Sequence, residues 1–231
     1  MLYFILAIFA LIADVFINKF WLSKSRFKYK THIANIIRII ATLTFAYLFK
    51  LPLGLRGIEG GLLAFILGII IFIMSYLSIK AAFSEDIAHE YIPLDNLLVG
   101  SFWQMFFLLG FFVPIGEEMF FRGLVQNLFA KAVGEIWAIV FSILAFVGIH
   151  YNNVLSGFET KEQFKKMLPG RLLITAILCW LYYESKSIWL PVFIHALQDL
   201  GTYLIVYRYN KKTGSHRLPE SFGEENSRTD I

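Results

Sequence analysis

The sequence predicts an all-α protein, a polytopic transmembrane helical bundle of about eight membrane helices, with seven as the alternative count. Three observations carry this expectation. The 231 residues are 58% hydrophobic and 16% charged, with a mean hydropathy of +0.64, whereas a soluble domain has roughly 25% charged residues. Apolar runs recur at lengths approaching the ~17–25 residues that a helix needs to cross the hydrocarbon layer. Trp21, Trp137 and Trp189 stand at the ends of such runs, where the bilayer interface favours their amphipathic rings.

The runs cover residues 2–22, 33–49, 58–79, 97–113, 116–130, 134–151, 170–184 and 187–206. The first is read as a retained spanning helix, because no basic segment precedes it and no small-residue cleavage site follows. Asp14 in the first run and Arg38 in the second sit at matching depths. Isolated charges in hydrocarbon are costly, so these two are expected to form a helix–helix ion pair. The third run carries no recognisable motif.

The fourth and fifth runs meet at Pro114-Ile115-Gly116. One straight helix through both would be roughly 50 Å long, too long for a single crossing. Proline disfavours helix at the residue before it, and glycine permits a sharp turn. The helix is therefore expected to break there. Glu117 and Glu118 would then open the next helix, where the macrodipole favours carboxylates. The fifth run is the weakest as a span, at roughly 22 Å. The sixth returns toward Glu117 and brings His150 to the same depth. His195 and Asp199 lie roughly 12 and 18 Å into the last run by helical rise, climbing toward the same level.

Residues 1–207 are thus read as a single membrane-embedded domain, with a motif-bearing core at about 97–205. Residues 208–231 are polar and charged and read as a disordered C-terminal tail. The net charge of +4 resides in loops and tail, where it bears on topology rather than on nucleic acid. The basic cluster between Lys19 and Lys30 suits seven crossings better than eight. Cys179, the only cysteine, excludes an internal disulfide and reads as a small apolar core residue.

The candidate chemistry lies in a few ionisable residues inside apolar surroundings. Glu117 is a candidate general base. Glu118 and Arg122 are four apart, on one helix face, and are expected to pair as structural support. His150, at a helix end and level with Glu117, would hold one water between the two. Base abstraction of its proton would give a nucleophile for an amide carbonyl. His195 and Asp199 are also four apart on one face. His195 can donate to a developing oxyanion; Asp199 can do so only when protonated, and when ionised it would orient His195. A set of two histidines and an acid also suits Zn²⁺, so Glu117, His150 and His195 are alternative metal ligands, although no His-Glu-x-x-His occurs. His32, His89 and His216 are assigned no role.

At these residues the chain resembles the CPBP intramembrane protease family, which includes the CAAX prenyl endopeptidases and the bacterial Abi proteins of bacteriocin processing and immunity. The family pattern is Glu-Glu-x-x-x-Arg, then Phe-x-x-x-His, then His-x-x-x-Asn or Asp. Here it reads Glu117-Glu118 with Arg122, Phe146 with His150, and His195 with Asp199. The resemblance implies an integral membrane endopeptidase, glutamate-dependent and without a cofactor. It also implies that Glu117 and His150 activate water, and that His195 and Asp199 form the oxyanion site. The substrate would be a membrane-associated peptide or protein, and lipidation is compatible with it. Asp199 departs from the Asn of the prenyl endopeptidases, and an ionised Asp would repel an oxyanion. The compact chain fits a prokaryotic cell membrane. Two other classes stay open: a non-catalytic immunity or scaffold protein, and a proton-coupled transporter. Against the second, the ionisable groups gather at one depth instead of lining a path.

Overall fold

The computed structural model describes residues 1–17, 30–55, 61–82, 102–155 and 160–213. Seven helices account for almost all of them: α1 (Leu2–Phe16), α2 (Lys30–Phe49), α3 (Gly61–Ala82), α4 (Phe102–Val133), α5 (Glu135–Leu155), α6 (Lys161–Ser185) and α7 (Trp189–Thr213). No strand occurs among the described residues, so the all-α expectation holds. Thr31–Phe49, Phe102–Val133 and Glu135–Leu155 are long and apolar enough to cross a membrane. Trp137 and Trp189 lie at the starts of α5 and α7 and are exposed; Trp21, His89 and His216 lie outside the described residues.

The expected break at Pro114 does not occur. The fourth and fifth apolar runs form one continuous helix of 32 residues, so eight segments become seven helices. Two widened, π-type turns occur in this helix, at Leu108–Phe112 and Met119–Gln126, and the first explains how the proline is tolerated. Proline removes one N–H from the ladder and crowds the carbonyl four residues back. Just before it, the Val113 N–H bonds to the Leu108 carbonyl five residues back, which takes up the mismatch while the helix runs on. Such bulges keep a helix going past a local misfit. Glu117 and Glu118 therefore sit mid-helix, where no free N–H groups favour them.

The length objection also fails, for a physical reason. Half of the most apolar window of α4 is buried, against 22% for those of α2 and α5. All eight residues from Met119 to Gln126 are buried. A helix enclosed by protein is free to tilt and need not match the hydrocarbon thickness. α4 is the central post of the bundle, packed against α1, α2, α5 and α7, while α3 packs on α7 and α6 on α5 and α7. The main core cluster joins Phe121, Leu124, Val125, Leu128 and Phe129 of α4 to Ala7 and Ala10 of α1 and Phe146 of α5. Side chains cover backbone near the second widened turn: Ser142 Oγ donates to the Phe121 carbonyl at 3.3 Å and Asn127 Nδ2 to the Gly123 carbonyl at 2.8 Å.

Two glycines set the geometry. Gly134 ends α4 at φ 87°, a conformation glycine adopts without Cβ strain, and the chain doubles back into α5. Gly116 is not a turn. A Cβ there would collide with the Asn35 side chain, so its smallness lets α2 and α4 approach closely. The last helix continues to Thr213, into the segment expected as tail; residues 214–231 lie outside the described residues.

Candidate active site

Three helices bring the motif residues together. α4 carries Glu117, Glu118 and Arg122, α5 carries Phe146 and His150, and α7 carries His195 and Asp199. The continuity of α4 does not spoil the depth match. Glu117 is seventeen residues before Gly134 and His150 sixteen after it, so a hairpin at Gly134 returns His150 to the level of Glu117.

The inner part of the site is dry. Glu118 and Arg122 are fully buried, and Arg122 Nε lies 3.1 Å from Glu118 Oε2, so the expected ion pair is present. The Arg122 guanidinium also stacks over the Phe146 ring, 4.7 Å from its centre, a cation–π contact. The guanidinium meets Glu118 as an ion pair rather than through a well-aligned hydrogen bond.

Glu118 does more than compensate Arg122. Its other oxygen, Oε1, lies 2.7 Å from His195 Nδ1. A carboxylate accepts, so Nδ1 donates, and the ring orientation is set from that side. By sequence spacing an ionised Asp199 would orient His195; in the structure Glu118 holds Nδ1 as well. Asp199 Oδ2 lies 3.5 Å from Nε2, the opposite ring nitrogen. Glu117 Oε2 is 4.0 Å from the same Nε2. One ring nitrogen is thus clamped and the other faces two carboxyl groups.

His150 is fixed differently. Its Nδ1 lies 2.8 Å from the Phe146 carbonyl. A carbonyl only accepts, so Nδ1 carries the hydrogen and Nε2 keeps its lone pair. Phe146 stacks against the His150 ring at 4.5 Å and meets His195 edge-on at 6.1 Å. Phe121 packs edge-on against it at 4.8 Å. The aromatic residue of the second motif is the wall shared by both histidines and Arg122. Glu117 and His150 lie within electrostatic reach of each other and have no direct bond among the described residues.

Exposure grades outward from this core. The side chains of Glu118 and Arg122 are closed off, whereas those of Glu117 and Asp199 are 15% and 24% exposed.

The expected Asp14–Arg38 pair forms as a two-pronged contact, Nε to Oδ1 at 2.8 Å and Nη2 to Oδ2 at 3.0 Å. Sequence reasoning misses where it leads. Arg38 Nη1 also bonds Glu117 Oε1 at 3.1 Å, so α1 and α2 reach the candidate base. Matching depth finds the Asp14–Arg38 pair, but the position of α2 against α4 has no local signal. For the alternative metal site, no group of three His, Cys, Asp or Glu side chains is arranged to hold an ion among the described residues. A guanidinium on Glu117 would also set a fixed positive charge beside that ion.

Residues 99–201 match the family model for type II CAAX prenyl endopeptidase, Rce1-like. The match supports the resemblance of this stretch to the CAAX prenyl endopeptidase (CPBP) family. The matched region contains Glu117, Glu118, Arg122, Phe146, His150, His195 and Asp199, and leaves Asp14 and Arg38 outside. No curated protein and no solved structure matches the chain. The family is one of membrane-embedded proteases, and together with the long apolar helices this makes the chain an integral membrane protein.

Proposed function

We propose that this chain is an integral membrane endopeptidase that cleaves a peptide bond in a membrane-associated protein or peptide with a water activated by Glu117 and His150. The reading rests on one observation above the others. Glu117 Oε2 and Asp199 Oδ2 face the same nitrogen of His195, at 4.0 and 3.5 Å, so base, donor and carboxyl border one small space.

Glu117 takes one proton of the water, and the Nε2 lone pair of His150 accepts from the other and orients it. The oxygen adds to the amide carbonyl carbon, forming a C–O bond. The carbonyl oxygen gains charge and accepts a hydrogen bond from Nε2–H of His195, whose ring acts as an imidazolium, with Nδ1–H on Glu118 while Glu117 and Asp199 face Nε2. As the C–N bond breaks, Glu117 returns its proton to the leaving amine. Glu118 holds the His195 ring from behind. Asp199 sits beside Nε2, where as a carboxylate it would compete with the oxyanion and as an acid it would assist. The compact 1–207 membrane domain serves as the scaffold.

The test is cleavage of prenylated and unmodified peptides by the purified protein in proteoliposomes. Wild type, Glu117→Gln and His150→Ala are compared with and without a chelator. Each substitution is expected to lower the rate about 10²–10⁴-fold, the usual contribution of general acid–base catalysis, and chelator to have no effect. Unchanged cleavage by Glu117→Gln would sink the reading. Loss on chelation, restored by Zn²⁺, would replace it with a metal-dependent protease ligated by Glu117, His150 and His195.

A further inference from the structure

We infer that Arg38 is a positioning residue for Glu117, and that the first two helices, outside the matched endopeptidase region, complete the active site. This deepens the proposed function and rests on Glu117 acting as the base.

The two oxygens of Glu117 have different neighbours. Oε1 accepts from Arg38 Nη1 at 3.1 Å, while Oε2 faces His195 Nε2 at 4.0 Å. One oxygen is pinned, and the other is left toward the water and substrate. A base that turned freely about its terminal torsion would lose this aim, because that torsion is broad and not confined to staggered wells.

Arg38 is itself immobilised. Its Nε and Nη2 are engaged by Asp14, and Nη1 contacts Asn35 Oδ1 at 3.3 Å as well as Glu117. Arg38 is 7% exposed and Asp14 6%. The planar fork therefore spans two acids on two other helices, α1 and α4. Asn35 is braced in turn, Nδ2 donating to the Thr31 carbonyl at 3.0 Å. The close crossing at Gly116 brings this assembly against α4 next to Glu117. A structural ion pair would need only Asp14 and Arg38; the third contact, to the candidate base, is the observation that points to function.

A lysine cannot reproduce the arrangement. Its ammonium is a point donor and cannot serve Asp14 with two parallel bonds while bonding Glu117. The expected order of activity is therefore wild type, then Arg38→Lys, then Arg38→Gln.

The experiment measures kcat and KM for peptide cleavage by the full chain in proteoliposomes, with rates normalised to folded protein. The variants are Arg38→Lys, Arg38→Gln, Asp14→Asn, Asp14→Asn with Arg38→Gln, and Glu117→Gln. Arg38→Gln is expected to lower kcat about 10–100-fold with KM within about threefold, the pattern of an interaction used in the transition state. Lysine is expected to recover part of the loss. Asp14→Asn, which leaves Arg38 in place, is expected to lower kcat about 3–10-fold, and the double variant to be no worse than Arg38→Gln alone. A loss confined to the folded fraction, with kcat per folded molecule unchanged in Arg38→Gln and Asp14→Asn, overturns the inference. If Arg38→Gln does not fold, Asp14→Asn and Arg38→Lys decide it by the same criterion. Glu117→Gln separates the levels: if it cleaves normally, the base assignment fails; if it is inactive while Arg38 variants cleave normally, only the positioning role fails.

Discussion

Glu118 holds His195 and Arg122 at once, with one carboxylate oxygen 2.7 Å from the imidazole Nδ1 and the other 3.1 Å from the guanidinium Nε. The doubled acid of the first motif thus splits its duties. Glu118 faces inward as a brace between α4 and α7, and Glu117 faces the open side.

Removing the brace strands a cation. Glu118→Gln leaves Arg122 fully buried without its carboxylate. Breaking one side of a buried pair costs about 3–5 kcal/mol in soluble proteins. The expected result is a clear drop in the thermal midpoint in detergent or lipid, with cleavage reduced. Arg122→Met added to Glu118→Gln should recover a substantial part of that midpoint, because it removes the uncompensated charge. Measuring both midpoints tests the pair; no recovery in the double variant argues against it.

Asp199→Asn tests the opposite end of the His195 ring. The amide keeps a polar partner near Nε2, where the carboxylate lies at 3.5 Å, and adds an N–H that can donate to an oxyanion. Cleavage by this variant is expected at wild-type level or up to about tenfold higher, in line with one added donor at a developing charge. Asp199→Ala, with no donor, is expected to fall below wild type. If Asn is as inactive as Ala, the carboxyl itself is required.

Gly116→Ala probes the helix crossing. The added methyl meets Asn35, so α2 must shift away from α4. Overpacking typically costs about 1–3 kcal/mol. A lowered midpoint should come with a loss of kcat exceeding that of Gly123→Ala, whose Cβ would meet the Leu53 side chain at 3.2 Å and Thr42 at 3.4 Å. A wild-type kcat in Gly116→Ala would show that the α2–α4 approach at Gly116 does not matter to the site.

Phe146→Leu removes the shared wall. The substitution deletes the ring contacts to His150, His195 and Arg122 but keeps the main-chain carbonyl that holds His150 Nδ1. Each aromatic contact is worth about 0.5–1.5 kcal/mol beyond burial. The expected outcome is a modest fall in midpoint and about tenfold slower cleavage. His150→Ala is expected to cost more; the reverse ranking would place the main effect in packing.

Much of the site is legible in the sequence because charge in an apolar segment is itself a signal. Asp14 pairs with Arg38, and Glu118 with Arg122, as depth and spacing require. The winding of α4 is not legible. Pro114 and Gly116 look like a break, but one wider turn takes up the missing N–H, and no residue pattern announces it. Asp199 is near His195 in spacing, which points to an orienting role, yet Glu118, on another helix, holds Nδ1. Contacts between α2 and α4 depend on packing across 79 positions of sequence, which local periodicity does not encode. The end of α7 is a milder case. Polar composition after Tyr207 suggests that the helix stops there, but the backbone continues to Thr213. The Tyr207 ring packs 5.2 Å from Phe102 and 5.9 Å from Tyr203. Aromatic contact with the start of α4 thus supports the last helix where its composition turns polar.

The hairpin at Gly134 makes α4 and α5 behave as two arms of a caliper with Glu117 and His150 at the tips. One residue added to or lost from a single arm would move its tip by about 1.5 Å along the axis and swing it by about 100°. Length changes here are therefore tolerable only in compensating pairs, or where a widened turn in α4 takes up the difference. The arms can drift in composition far more freely than in length, and a stray insertion between residues 123 and 145 would part Glu117 from His150 while leaving every motif intact.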